Sequence, residues 1–178
     1  MQDDFESTKI AINLASYRCP RYDDFPNFGL YAKQVIEFLD KHLSIFLVPT
    51  EEKLLTTTMI NNYVKQKIVS APVNKKYDRD QIIHLFVISI LKQVLTISEI
   101  AKLLRLQINQ YETTKAYNFF CEELENSLKA TFSTRIFSDS SYIYIPTPLS
   151  EAARSALLSF SNKIYVKKNL YWSYNKEN

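Results

Sequence analysis

Apolar residues recur every three or four positions along most of this chain, which is the spacing that places side chains on one face of an α-helix. From Phe28 the pattern predicts a helix that ends before Pro49, because proline disfavours the helical conformation in the residue that precedes it. The apolar face of this helix is formed by Tyr31, Val35, Leu39, Leu43 and Phe46. Upstream, residues 3–27 contain two prolines and predict irregular structure.

Two further helix starts are predicted in the middle of the chain. Thr50, followed by two glutamates, has the pattern of a capped start. The segment 56–69 predicts an amphipathic helix. Its apolar side is formed by Met59, Ile60, Tyr63, Val64 and Ile68. Residues 70–77 are short, polar and interrupted by Pro72, and they predict a loop or a small hairpin.

A central helix is predicted next, capped by Asp78 and running to about Leu95. Apolar residues cover nearly all of its faces, and a helix that is apolar all round is normally buried. These residues are Ile82, Ile83, Leu85, Phe86, Val87, Ile88, Ile90 and Leu91. Thr96 and Glu99 then have the spacing of a capping box, which predicts a short helix. Its inward-facing residues are Ile97, Ile100, Leu103 and Leu104.

The last third of the chain predicts two longer helices. The first covers residues 111–131. Its apolar stripe is formed by Tyr117, Phe120, Cys121, Leu124 and Leu128. A turn at 138–141 and an extended piece at 142–145 precede the second helix, which opens at Thr147–Pro148, where the missing N–H of proline costs nothing. Its inward side is formed by Leu149, Ala153, Ala156, Leu157, Phe160 and Ile164. Lys163, Lys167 and Lys168 lie near its predicted end, and an aromatic tail over 171–174 follows.

Composition narrows the class of protein. A chain of 178 residues is the size of one domain, and its single glycine, Gly29, excludes the glycine-rich loops that bind phosphates or dinucleotides. The same scarcity argues against a turn-rich β-sandwich, because tight primed hairpin turns depend on glycine. Cys19 and Cys121 lie far apart, and neither they nor His42 and His84 have the spacing of metal ligands. We therefore expect no metal, no cofactor and no disulfide framework.

A membrane protein, a secreted protein and an enzyme are also not expected. The longest apolar stretch, residues 82–91, is about half as long as a membrane span requires. Residues 1–6 are too acidic and polar for a signal peptide, so we expect a cytoplasmic protein without a membrane partner. Neither histidine has a neighbouring acid or nucleophile in the sequence, and the paired carboxylates at 23–24 and 122–123 resemble surface charges. We therefore do not expect an enzyme.

The positive charge is concentrated in the middle of the chain. Residues 1–52 contain 5 basic and 9 acidic residues, residues 53–110 contain 9 basic and 3 acidic, and residues 111–178 contain 8 basic and 7 acidic. A basic segment of this kind indicates a polyanionic partner. A lysine-rich solvated face is the alternative.

The middle segment also combines three features that suit a winged helix-turn-helix. A polar helix side offers amides and lysines, the loop or hairpin after it offers more, and the buried helix would anchor both. Amide side chains can pair with adenine in the major groove, and wing lysines can contact phosphates. The residues that we predict to contact DNA are Thr58, Asn61, Asn62, Lys65, Gln66, Lys67, Asn74, Lys75, Lys76 and Arg79. A solvated helix face, and local pairing of Arg79 with Asp78 or Asp80, are the alternatives.

Aromatic residues have mainly structural interpretations. Tyr63 is predicted to anchor its helix on the core and Tyr77 to fasten the wing to the buried helix, although either hydroxyl could donate to a phosphate. The aromatic residues of the C-terminal half predict a core or a dimer seam, with an effector pocket as the alternative. They are Tyr111, Tyr117, Phe119, Phe120, Phe132, Phe137, Tyr142 and Tyr144.

Several runs of residues resemble a known family. The run Thr57–Val69 (TTMINNYVKQKIV), followed by Pro72 and Lys76–Ile82 (KYDRDQI), resembles the recognition helix and wing of MerR-type transcription regulators. Leu91–Ile100 (LKQVLTISEI) resembles the continuation of that family, so that the resemblance covers roughly residues 56–104. It implies a MerR-like winged helix-turn-helix that binds duplex DNA.

This chain departs from the MerR pattern at identifiable positions. Where it has Asn61 and Lys67, MerR-type proteins usually carry arginine and glycine, and of their usual Tyr-Arg-x-Tyr wing run only Tyr77 remains. The whole sequence more closely resembles a bacterial family of small helical proteins of unknown function, whose members are inferred to be MerR-like regulators. The runs that carry this resemblance are Pro20–Tyr22, Thr58–Lys65, Lys76–Tyr77 and Leu91–Val94.

The prediction is thus a mainly α protein with a MerR-like winged helix-turn-helix and additional N- and C-terminal helices. We expect an acidic helical segment at 1–52, the winged region at 53–110 and a dimerisation or effector region at 111–178. The predicted function is a transcription regulator that binds double-stranded DNA as a homodimer and responds to a small-molecule or protein effector. The alternative is a helical protein-interaction or adaptor module without DNA binding.

Overall fold

A computed structural model of the chain describes residues 4–134, 136 and 147–177. The contacts divide the chain into two compact units. The inserted unit is Pro20–Asn118, and the terminal unit combines Met1–Cys19 with Phe119–Asn178. The three functional regions predicted above remain a prediction. The predicted turn at 138–141, the extended piece at 142–145, and Phe137, Tyr142 and Tyr144 lie outside the described residues.

The described residues are mainly helical, as predicted. In chain order the α-helices are α1 (Lys9–Ala15), α2 (Ala32–Leu43), α3 (Thr57–Lys65), α4 (Arg79–Leu91), α5 (Ile97–Gln110), α6 (Thr113–Lys129) and α7 (Pro148–Glu177). A π-helical turn, Ala130–Thr134, follows α6, and 3-10 turns lie at Phe5–Ser7, Tyr22–Asp24 and Ser44–Phe46. Strands β1 (Leu30–Tyr31) and β2 (Lys76–Tyr77) pair antiparallel, with Leu30 opposite Tyr77 and Tyr31 opposite Lys76.

Helix α4 forms the core of the inserted unit, as its all-round apolar pattern predicts. All eight apolar residues predicted for it are buried. Its start at Asp78 is confirmed: the Asp78 carboxylate accepts from the backbone N–H of Gln81, and the Gln81 side chain accepts from that of Asp78. The helix ends at Leu91 rather than at Leu95, because the next residues form a tight turn in which the N–H of Val94 donates to the carbonyl of Leu91.

Three aromatic rings join the beginning and the end of the inserted unit. The Phe25 ring lies 6.2 Å from Phe86 and 5.5 Å from Tyr117, centroid to centroid. The Tyr117 hydroxyl donates to the carbonyl of Pro20 at 2.7 Å and is buried. Edge-to-face aromatic contacts and a satisfied buried hydroxyl both stabilise such a cluster.

Helix α1 was not predicted, and the interpretation of residues 3–27 as irregular is wrong in this part. The Thr8 side chain accepts from the N–H of Ala11 and starts the helix. Ala11 and Leu14 are fully buried, but Ile12 on the opposite side is 55% exposed. An exposed isoleucine within so short a helix obscures the apolar spacing on which the prediction depends.

The boundaries of α2 and α3 also differ from the prediction. Helix α2 begins at Ala32, because Tyr31 is exposed in β1 instead of facing the core. No helix begins at Thr50: the Glu51 carboxylate accepts from the N–H of Val48 and closes a turn there. Helix α3 begins at Thr57, capped by the Thr56 hydroxyl, and ends at Lys65 instead of reaching 69.

Helices α5 and α6 follow the prediction closely. The capping box of α5 is confirmed, since the Thr96 hydroxyl accepts from the N–H of Glu99 and the Glu99 carboxylate accepts from that of Thr96. Ile100 and Leu104 are buried, and the helix continues to Gln110. The predicted stripe of α6 is confirmed, because all five of its residues are buried.

The terminal unit is held by aromatic rings and by two buried or partly buried glutamates. Phe5 packs against Phe132, Tyr165 and Trp172, with centroids 5.3–6.3 Å apart. Helix α7 continues through the predicted aromatic tail to Glu177. Ionic contacts complete the unit. Glu123 binds Arg154 at 2.9 Å, and Glu125 binds Arg18 at 3.1 Å and the N–H of Cys19 at 2.9 Å.

Among the described residues, no helix is both long and apolar enough to cross a bilayer.

Candidate nucleic-acid interface

Helix α3 presents a polar face to solvent and an apolar face to the core. Ile60 and Tyr63 are 0% and 2% exposed, so they fix the rotation of the helix. The predicted contact residues on α3 and just after it are all exposed. They are Thr58, Asn61, Asn62, Lys65, Gln66 and Lys67. An amide-and-lysine surface therefore covers the outer side of α3.

The C-terminal end of α3 requires an unusual backbone conformation at Lys67. The N–H of Lys67 donates to the carbonyl of Val64, and the N–H of Ile68 donates to that of Tyr63, both at 2.9 Å. This is the Schellman arrangement, in which the residue after the helix is left-handed. Lys67 has φ 56°, a conformation that favours glycine.

Residues 73–76 form a small hairpin, one of the two predicted alternatives. The N–H and carbonyl of Val73 bond to the carbonyl and N–H of Lys76, at 3.1 and 2.9 Å. Asn74 and Lys75 between them have φ of 50° and 64°, the pattern of a type I′ turn. Asparagine and lysine, rather than glycine, take both left-handed positions of this turn. Asn74, Lys75 and Lys76 are exposed.

Gln81 fixes the base of this hairpin, a role that the sequence did not indicate. Its side-chain amide donates to the carbonyl and hydroxyl oxygens of Ser70 at 3.0 Å and to the carbonyl of Ala71 at 3.1 Å. Its side-chain oxygen accepts from the N–H of Asp78 at 2.8 Å. One side chain, 5% exposed, therefore ties both ends of the 70–78 segment to the start of α4. In the sequence, the only indication of this role is the position of Gln81 in the first turn of a helix predicted to be buried.

Arg79 is engaged within the inserted unit. Its guanidinium binds the Asp23 carboxylate at 3.2 Å and lies 5.0 Å from the centroid of the Tyr22 ring. It pairs neither with Asp78 nor with Asp80, the partners considered from the sequence. Asp80 instead accepts from the Tyr22 hydroxyl at 2.9 Å, a hydrogen bond that raises the pKa of Tyr22. Of the ten predicted contact residues, Arg79 alone is partly buried.

The two tyrosines predicted to be structural are buried. Tyr63 is 2% and Tyr77 4% exposed, and burial raises the pKa of both. The Lys92 ammonium lies 5.6 Å from the centroid of the Tyr63 ring. The burial of these two side chains fixes α3 and strand β2 on the core.

The other candidate residues have the following places. His42 and His84 are half-buried, and burial lowers the pKa of both. Of the aromatic residues considered for a core, a seam or a pocket, Tyr117, Phe120 and Phe132 are buried, while Tyr111 is exposed. No group of three or more histidine, cysteine or acidic residues within the described parts of the chain could hold a metal ion.

Comparison with known proteins gives a family and nothing beyond it. A family model for a domain of unknown function (DUF1836) matches residues 20–120, more than half of the chain. The matched range nearly coincides with the inserted unit, which contains the whole amide-and-lysine surface. No curated protein and no solved structure matches the chain.

Proposed function

Because the chain belongs to the family of domains of unknown function DUF1836, its activity has to be inferred from its own residues, and we propose that the inserted unit is a DNA-binding head of the MerR-like winged helix-turn-helix type. In this proposal α3 enters the major groove and the hairpin of residues 73–76 is the wing. Asn61, Asn62, Lys65 and Gln66 contact bases, and the wing lysines contact phosphates.

The backbone at the lysines carries the proposal. Within the described residues, the non-glycine residues with positive φ are Lys67, Asn74 and Lys75, and all three belong to the predicted contact set. A left-handed conformation costs about 1–2 kcal/mol for a residue with a Cβ, and glycine would avoid that cost. Backbone strain of this kind clusters at functional sites, where a side chain needed for function is kept although it lowers stability. Two exposed lysines, Lys67 and Lys75, in left-handed conformations support a polyanionic ligand.

The order of elements adds support. A helix, a two-residue hairpin turn and a buried helix follow one another, with Gln81 fixing the hairpin to α4. A single small head makes few base contacts, so we propose that the protein acts as a homodimer whose heads read two half-sites. Residues 111–178 would supply dimerisation and effector binding.

The proposal is tested by fluorescence anisotropy with duplexes from the regulatory region of its own gene, titrated over a range of salt concentrations. The double variant Lys75→Ala, Lys76→Ala should bind more weakly, and its salt slope should fall by about 2, roughly 0.9 for each lost phosphate contact. The matched control is Lys102→Ala, Arg105→Ala, which removes the same charge from the exposed side of α5. Equal slopes for wild type and the wing variant would refute the wing assignment.

An adaptor without DNA binding is the second candidate, and two observations favour it. Arg79 is already held by Asp23, and three apolar side chains near the end of α5, those of Leu106, Ile108 and Tyr111, are 41–55% exposed. Exposed apolar side chains concentrated in one short stretch of the chain are a feature of protein-binding surfaces. Complete failure of the protein to bind heparin or duplex DNA at low salt would favour this function over the first.

A further inference from the structure

The chain's one glycine, Gly29, directly precedes β1 and lies against a predicted phosphate-binding lysine, Lys76. A Cβ atom added to Gly29 would lie 2.8 Å from Cβ of Lys76 and 3.5 Å from its Cδ. Carbon atoms do not approach so closely without displacement, so the absence of a side chain at residue 29 makes room for Lys76. Gly29 has no positive φ, and its role is therefore this close approach.

The far end of the same lysine lies over an aromatic ring. Tyr31 is directly opposite Lys76 in the two-stranded sheet, and the Lys76 ammonium lies 5.3 Å from the centroid of the Tyr31 ring. Tyr31 is 50% exposed and Lys76 is also exposed, so the ring covers one side of the ammonium and leaves the rest to solvent. Ring faces attract cations at such distances.

These two contacts fix a side chain that is normally mobile. A lysine side chain loses substantial rotamer entropy when a ligand immobilises it. Here the stem rests against Gly29 and the ammonium against Tyr31, so much of that loss has already occurred in the free protein. Preorganisation of this kind raises the affinity for a ligand without adding a contact.

We propose that Gly29 and Tyr31 are positioning residues that hold Lys76 for binding to a phosphate of the nucleic-acid backbone. This inference rests on the proposed function and extends it: the binding surface includes β1, which lies in the N-terminal segment and outside the ten predicted contact residues. Tyr31 acts through Lys76 and needs no direct contact with DNA.

The experiment is an anisotropy titration of a short labelled duplex of arbitrary sequence, over a salt series, with the full chain. Tyr31→Leu removes the ring and should weaken binding about 2–5-fold, the fold-change that corresponds to an exposed cation–ring contact. Tyr31→Phe keeps the ring and should bind as the wild type does. In a Lys76→Met background, Tyr31→Leu should have no further effect. Gly29→Ala, which displaces the lysine stem from the other side, should also weaken binding.

The controls separate positioning from folding and from the proposed function. Phe28→Leu changes another exposed aromatic residue of the same segment, 65% exposed, and should bind as the wild type does. Urea unfolding of each variant identifies any loss of stability. If Tyr31→Leu binds normally while Lys76→Met does not, or if Tyr31→Leu weakens binding equally without Lys76, the positioning role is overturned and DNA binding stands. If Lys65→Ala, Lys75→Ala and Lys76→Met all bind as the wild type does, both proposals fail.

Discussion

Replacing Lys67 with glycine should stabilise the protein and weaken its binding to DNA. Lys67 is the left-handed residue that follows α3, with φ 56°, and the hydrogen bonds from its own N–H and that of Ile68 close the helix end. These hydrogen bonds are made by the backbone, so Lys67→Gly retains them. The substitution removes only the Cβ atom and the charged side chain.

The size of the gain follows from two opposing terms. A residue with a Cβ in the left-handed conformation costs about 1–2 kcal/mol. Glycine has more conformational freedom to lose on folding, which costs about 0.5–1 kcal/mol. The free energy of unfolding should therefore rise by about 0.5–1 kcal/mol. The matched control is Lys65→Gly, which removes a lysine from the last helical residue of α3 and should lower that free energy by about 1 kcal/mol.

Urea unfolding followed by circular dichroism measures the stability, and anisotropy over a salt series measures the binding. If Lys67 contacts a phosphate, Lys67→Gly should lower the salt slope by about 0.9. A variant less stable than the wild type would refute the argument from the left-handed backbone. A more stable variant with an unchanged slope would remove Lys67 from the proposed DNA surface.

Three further experiments test polar and charged side chains in the core. In urea unfolding, Gln81→Leu should lower the free energy of unfolding by about 2 kcal/mol, because the carbonyl and hydroxyl oxygens of Ser70 lose their hydrogen-bond donor. An unchanged free energy of unfolding would contradict the anchoring role of Gln81. Burial lowers the pKa of His84, so the unfolded chain binds a proton at this histidine more readily than the folded chain does, and the free energy of unfolding should fall as the pH drops below about 6.5. His84→Gln should reduce that fall, and a variant with the same pH profile as the wild type would contradict this role of His84. Arg154→Leu leaves the buried Glu123 unpaired and should lower the free energy of unfolding by about 3 kcal/mol, whereas the double variant Arg154→Leu, Glu123→Leu should lose less. A double variant as unstable as the single variant would contradict this explanation.

The sequence predicts well those elements whose signals are local. Each cap, Asp78 or Thr96, bonds to a residue three positions further along the chain, and both helix starts are confirmed. The all-round apolar pattern correctly indicates that α4 is buried. By contrast, α1 was not predicted because its Ile12 is 55% exposed and breaks the apolar spacing. The start of α2 was predicted too early because Tyr31 pairs with a strand distant in sequence.

The candidate site divides in the same way. The exposure of Asn61 and Lys65 follows from the helical spacing of α3 and was predictable. The pairing of Arg79 with Asp23 was not, because 56 positions separate the two residues along the chain. The contact of Lys76 with the Tyr31 ring depends on the pairing of β1 with β2, and strands of only two residues are too short to be predicted from the sequence.

The hydrogen bond from the Tyr117 hydroxyl to the Pro20 carbonyl determines where the two ends of the inserted unit lie. It fastens the first residue of the inserted unit to one of its last, so the two ends of the segment sit side by side. Helix α6 runs from Thr113 to Lys129, so the chain leaves the segment at residue 118 through an unbroken helix and not through a loop. The segment is thus closed at its base by a side chain of the same helix that carries the chain out of it.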